Sequence, residues 1–244
     1  MSTRAHGQPL QLALGTLLAV ASTASASGLQ VAPTGLEFAS TVGAQALWLT
    51  NTGDAVLRAQ VRAFDWTQVD GSDRLEPTQA LVASPPMLEL APGERQLVRV
   101  IRTGTPAAAG PERAYRLLVD ELPESAQQSG VQYVLRYSVP VFVEGAATNA
   151  TADPVLNWAV RHEEGRLIVE AGNRGSRHAQ LAGVDMLPAD GVPVALVPGL
   201  LGYVLGGSTM RWTVDAPPAV AATRVRIQVD GEPVELPLAP RPVR

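Results

Sequence analysis

The 244-residue sequence carries 19 Lys and Arg against 23 Asp and Glu, a formal net charge of −4, with no basic block of the kind that nucleic acid requires. Cysteine is absent, which excludes thiol catalysis, disulfide exchange and cysteine-held metals and leaves buried apolar cores as the source of stability.

Residues 1–26 read as a cleavable export signal. Arg4 gives the basic start, Leu10 to Ala21 the apolar run, and Ala24-Ser25-Ala26 the small-residue cleavage pattern, so the mature chain is predicted to begin at Ser27. The apolar run is about a dozen residues against the roughly 20 that span a bilayer, and no later run is longer, so membrane insertion is not expected. About 218 of the 244 residues then remain, a length that suits two medium domains. Without Arg4 the balance is 18 basic against 23 acidic residues, about −5.

Helix signals are scarce, because 20 prolines and 22 glycines cut the chain into short runs. Strands are predicted near Leu29 to Phe38, Gln45 to Thr50, Leu57 to Trp66, Met87 to Leu90, Arg95 to Arg102, Tyr115 to Leu122 and Val131 to Val143. Asn51-Thr52-Gly53-Asp54, Asp70-Gly71 and Ala91-Pro92-Gly93 supply turn chemistry between them. Leu57, Ala59, Val61 and Ala63 alternate with Arg58, Gln60, Arg62 and Phe64, the period of a strand with one buried face. This count and spacing predict an immunoglobulin-like sandwich over residues 27–144.

A small-residue stretch, 145–153, has no apolar period and is read as a linker. Beyond it, 154–244 repeats the all-β signature. Leu156, Trp158 and Val160 turn back through His162 to Gly165 into Leu167, Val169 and Ala171. Val225, Ile227 and Val229 form a clean half-buried strand before the Asp230-Gly231 turn and Val234, Leu236 and Leu238. The fold expected is therefore all-β, two immunoglobulin-like sandwiches in tandem.

The stretch Val131 to Val143 stands out. Val131, Tyr133, Leu135, Tyr137, Val139, Val141 and Val143 are apolar at every odd position, and thirteen residues reach about 43 Å in a sheet whose strands usually have 5 or 6. Such a strand has length to pack its later half in its own core and offer its earlier half elsewhere. Pro140 favours an edge position, since proline cannot donate to a ladder. The polar residues Glu124 to Gly130 precede it.

Taken in order, several first-half motifs resemble the amino-terminal domain of the PapD-type periplasmic pilus chaperones. They are Pro33-Thr34-Gly35-Leu36-Glu37-Phe38, Leu49-Thr50-Asn51-Thr52-Gly53, Ser84-Pro85-Pro86, Leu90-Ala91-Pro92-Gly93-Glu94-Arg95-Gln96 with Val98-Arg99, and Tyr115-Arg116 with Glu121-Leu122-Pro123. Phe64-Asp65-Trp66 with Gln68, and Asp70-Gly71 to Leu75, look more like the archaic branch of that family. The resemblance implies a periplasmic chaperone that holds pilus or fimbrial subunits by donor-strand complementation, a form of strand addition, and delivers them to an outer-membrane usher. It implies Val131, Tyr133, Leu135, Tyr137 and Val139 as the donor face. Whether the free chaperone caps itself as an oligomer is left open.

Family members anchor a subunit carboxylate with two basic residues, and those positions fall here on Gly35 and Pro140, neither of which can donate to it. Arg99, Arg102, Arg116 and Arg136 are the candidate replacements, with reliance on the apolar strand as the alternative. Glu112, Asp120, Glu121 and Asp230 are candidates for pairs between the domains, Arg99 with Glu112 first. No catalytic residue, metal site or cofactor is expected: G-x-S-x-G, H-E-x-x-H and P-loop motifs are absent. His178 beside Ser176 reads as a solvated loop histidine, and Trp48, Trp66, Trp158 and Trp212 as sandwich core. The competing reading is a two-domain structural or adhesive surface protein.

Overall fold

A computed structural model describes residues 28–104, 110–123, 134–145, 153–163, 165–189, 191–216 and 222–238. The proposed export signal and most of the 145–153 stretch lie outside these residues. Among the described residues, all of the regular structure is strand.

The predicted first strand is two. Leu29–Ala32 (β1) and Leu36–Phe38 (β2) are separated by Pro33-Thr34-Gly35, and each joins a different sheet. The remaining strands of the first sandwich are Ala44–Asn51 (β3), Leu57–Val69 (β4), Ser72–Pro77 (β5), Leu81–Ser84 (β6), Met87–Leu90 (β7), Arg95–Arg102 (β8), Arg113–Leu122 (β9) and Arg136–Val143 (β10). One sheet runs β1-β3-β8-β6; the facing sheet runs β2-β10-β9-β4-β5, with β7 also on β4. Between them lie Phe38, Leu47, Leu49, Leu90, Val98, Leu117 and Val141, fully buried side chains from both sheets. Each such residue contributes roughly 1.5–3 kcal/mol by leaving water.

The second sandwich comprises Leu156–Glu163 (β11), Arg166–Asn173 (β12), Ala179–Pro188 (β13), Val194–Val204 (β14), Thr209–Asp215 (β15), Ala222–Val229 (β16) and Glu232–Pro237 (β17). A sheet β11-β12-β15 packs on a sheet β14-β13-β16-β17 around Leu167, Val169, Leu181, Val184, Val204 and Ile227.

The turn chemistry is where the sequence places it. Asp70 and Gly71 (φ 53° and 75°) join β4 to β5, and Asp230 and Gly231 (φ 51° and 89°) join β16 to β17, as two-residue hairpins of this twist require. Two buried asparagines serve as matched struts. Asn51 donates to the Ala55 and Leu90 carbonyls and accepts from Gly53; Asn173 donates to the Arg177 and Val204 carbonyls and accepts from Gly175 and Val155. Each has both its donors and its acceptor oxygen engaged, so neither is a buried polar defect.

A candidate binding edge and an interdomain cleft

Of the stretch predicted as one strand, the described part runs from Val134, and within it β10 has eight residues, Arg136–Val143, with Val134 and Leu135 before the strand. Val131 and Tyr133 lie outside the described residues. Val139 is turned into the first sandwich's own core and is 3% exposed, so its side chain is unavailable to another chain. Tyr137 is half-buried against that core, and its hydroxyl donates to the Leu29 carbonyl at 2.6 Å. Leu135 and its neighbour Val134 are exposed apolar side chains at 36% and 49%. Of the five donor positions named from the sequence, Leu135 is the one whose side chain the described structure leaves in solvent.

The backbone of β10 is open over part of its length. On one side it pairs with β9 from Arg136↔Asp120 to Val143↔Arg113; on the other, β2 covers only Val141 to Val143. The direction of each residue's backbone groups follows from the ends of the strand. The Glu121 N–H donates to the Leu135 carbonyl, and the Glu144 N–H donates to the Phe38 carbonyl, so odd residues address β9 and even residues address the β2 side. Arg136 and Ser138 therefore turn their N–H and C=O groups to an edge that no described strand covers, where the Ser138 carbonyl accepts a long side-chain hydrogen bond from Arg116 Nη1 at 3.5 Å. Pro140, the next even residue, has no N–H to leave unpaired there.

That edge ends at a cleft between the sandwiches of about 670 Å³, lined by Thr34 to Glu37, Pro140, Phe142, Asp153, Pro154, Arg177, His178, Gln180, Tyr203 and Asp230. Gly35 and Pro140, aligned from separate motifs, meet here: a Cβ on Gly35 would stand 3.6 Å from Pro140 Cγ. None of Arg99, Arg102, Arg116 and Arg136 lines it. Arg99 is exposed on β8 in the opposite sheet, and Arg102 donates to the Ser40 carbonyl at 2.8 Å. Arg116 lies 3.7 Å over the Trp66 ring, where burial lowers its guanidinium from the ordinary value against the opposing charge of Asp73. The cation in the cleft is Arg177, from the loop before β13.

Arg136 is held by Asp120, a carboxylate only 8% exposed on β9. The other oxygen of Asp120 accepts from Arg62 Nη2 at 2.6 Å and Nε at 3.2 Å. Burial pushes the Asp120 carboxyl up, but hydrogen bonds and charge from Arg62 and Arg136 outweigh it and hold it below its ordinary value. The first residue of the open edge is thereby tied through β9 to β4.

Four expectations need correction at the seam. Glu112 meets His178 and, at 3.9 Å, Arg177, rather than Arg99; Asp230 stays within the second sandwich and caps the Gln180 N–H at 2.8 Å. His178 is no solvated loop residue: its ring stacks on Phe142 with centroids 3.4 Å apart, and its Nδ1 lies 2.8 Å from Glu112. Trp66 likewise belongs to neither main core. With Phe142, Tyr203 and Leu205 it forms a third apolar cluster between the sandwiches. Periodicity does not report such residues, because the partner that buries them is on the other domain.

Comparison with known proteins agrees with this architecture. Residues 28–148 match the family described as pili and flagellar-assembly chaperone, PapD N-terminal domain. Among solved structures, a chain of the CsuC–CsuE chaperone–tip adhesion subunit pre-assembly complex from archaic chaperone-usher Csu pili of Acinetobacter baumannii is similar, with TM-score 0.65 and 27% identity over 87% of this chain and 99% of that one. The E. coli chaperone DraB (TM-score 0.56, 16% identity, 86% of this chain and 98% of that one) shares the fold. So does a chain of the Salmonella enterica SafA pilin–SafB chaperone complex (TM-score 0.59, 16% identity, 88% and 99%). No curated protein sequence matches the chain. Through its first sandwich, the chain belongs to the family of pili and flagellar-assembly chaperones with a PapD amino-terminal domain.

Proposed function

We propose that this chain works in the periplasm, holds pilus subunits by adding a strand to them along the open half of β10, and releases them at an outer-membrane usher. The observation that carries the reading is the mismatch between β10 and β2. Five residues, Arg136 to Pro140, have a partner strand on one side only, and the chain immediately before them presents Val134 and Leu135 to solvent. An unpaired edge of this kind is a template for another strand, and proteins that have no use for one normally cover or charge it.

Strand addition divides the work between backbone and side chains. Arg136 and Ser138 offer ladder hydrogen bonds to any sequence, while Leu135 and the Val131 and Tyr133 positions before it supply apolar side chains to a groove in the subunit. The cleft beyond Pro140 receives the end of the added strand, with Arg177 as the cation placed to meet a carboxylate. No covalent step is involved.

Co-export of the chain with a pilus subunit tests this. Wild type should recover soluble complex, and Tyr133→Asp and Leu135→Asp should each lose most of it while still folding; unchanged recovery in both variants would refute the strand-addition reading.

A further inference from the structure

Side chains of the first sandwich bind backbone groups of the second at two separate places along the seam. Gln68, near the end of β4, accepts from the Leu205 N–H through Oε1 at 2.9 Å and donates from Nε2 to the Tyr203 carbonyl at 2.9 Å. Those backbone groups flank Val204 at the end of β14, so the amide stands where a neighbouring strand residue would. Asp73 across the hairpin accepts from the same Nε2 at 2.9 Å and from Trp66 Nε1 at 2.8 Å. A carboxylate only accepts, so Asp73 decides which end of the amide faces which partner.

The second place is Glu112, just before β9. Its carboxylate accepts from the His178 N–H at 2.9 Å, and its own N–H donates to the Ser176 carbonyl at 3.2 Å. A third contact closes the hairpin tip, where the Arg211 N–H donates to the Gly71 carbonyl at 3.3 Å. Gly71 has φ +75°, and a Cβ there would stand 3.2 Å from Arg211 Cβ. Between these points lie Trp66, Phe142, Tyr203 and Leu205.

We propose that this seam couples the two sandwiches into one cooperative unit, with Gln68 as the positioning residue that sets their angle and so the shape of the cleft. Domains joined by ordinary polar contacts move relative to each other by default. Here, swinging the second sandwich away breaks both Gln68 hydrogen bonds to the end of β14 and uncovers the aromatic cluster in the same movement. The contacts are therefore lost together, and the angle has one preferred value. Cleft geometry is what the strand-addition reading uses, but the coupling itself does not depend on that reading.

Calorimetry on the full chain tests the coupling. Wild type should melt in one transition with a calorimetric to van't Hoff enthalpy ratio of about 1, and Gln68→Ala should give two transitions or a ratio approaching about 2. Gln68→Glu keeps the acceptor for Leu205 but sets a carboxylate against Asp73 and the Tyr203 carbonyl, and should behave like Gln68→Ala. Both should raise the radius of gyration in solution scattering, whereas Gln60→Ala, on the same strand and face outside the seam, should change neither readout. Two transitions in wild type, or an unaltered single transition in both Gln68 variants, would overturn the proposal. If Gln68→Ala does not fold, Glu112→Ala removes the carboxylate contact to the His178 N–H at the second place and is read by the same criterion. Subunit recovery by the β10 variants is scored separately, so either idea can fail with the other standing.

Discussion

Replacing Asp120 by Asn removes the charge that holds the start of the open edge. The carboxylate accepts two hydrogen bonds from Arg62 and one from Arg136; Asn keeps one acceptor and turns an NH2 toward a guanidinium. Hydrogen bonds to charged groups contribute about 1.5–3 kcal/mol each, and breaking a fully buried ion pair costs about 3–5 kcal/mol. The two guanidinium ends are 42% and 63% exposed, so water recovers part of the loss and about 2–3 kcal/mol is the expected destabilisation. At roughly 2–4 °C per kcal/mol for a unit of this size, Tm falls by about 5–10 °C at neutral pH. The sign of the pH dependence follows from the direction of the shift. The folded carboxyl lies below its ordinary value, so its contribution is complete above the usual carboxylate range and is lost as pH falls through the depressed folded value. Melting curves of wild type and Asp120→Asn by circular dichroism should therefore be well separated at pH 7 and converge in strong acid. A gap under about 2 °C at neutral pH, or one that persists undiminished in acid, would refute the role given to this carboxylate.

Ser138→Pro removes an N–H that faces the uncovered side of β10 and costs no bond to β9; stability should change by less than about 1 kcal/mol, while affinity for a pilus subunit falls at least about tenfold in a pull-down titration. Tyr137→Phe deletes the hydroxyl bonded to the Leu29 carbonyl and should cost about 1 kcal/mol in urea unfolding with an unchanged m-value. Arg177→Ala should weaken subunit capture by about tenfold without lowering Tm, as loss of one charge-assisted contact at a cleft rim predicts; equal capture by the variant would remove Arg177 from the binding scheme.

Most of the fold is legible in the sequence because a half-buried strand writes its two faces into alternate residues. Leu57, Ala59 and Val61 against Arg58, Gln60 and Arg62, and Val225 and Ile227 against Arg224 and Arg226, are inward and outward as their order implies. Asp70-Gly71 and Asp230-Gly231 mark hairpins for the equally local reason that few other pairs accept their backbone angles. The strand β5 that follows Asp70-Gly71 escapes this reading, since all six of its residues are exposed and carry no apolar period.

The candidate site divides along the same line. Local order determined that the residues before Val143 form a strand with an apolar odd face, and that Pro140 belongs where no ladder donor is needed. Only the folded molecule decided that Val139 serves its own core, that β2 stops at Val141, and that Arg136 is spoken for by Asp120. The pairing of Glu112 with His178, the stacking of His178 on Phe142 and the grip of Gln68 on β14 were likewise tertiary decisions. Each joins residues at least 36 positions apart in the chain, and periodicity reports only whether a face is buried, never which distant surface buries it.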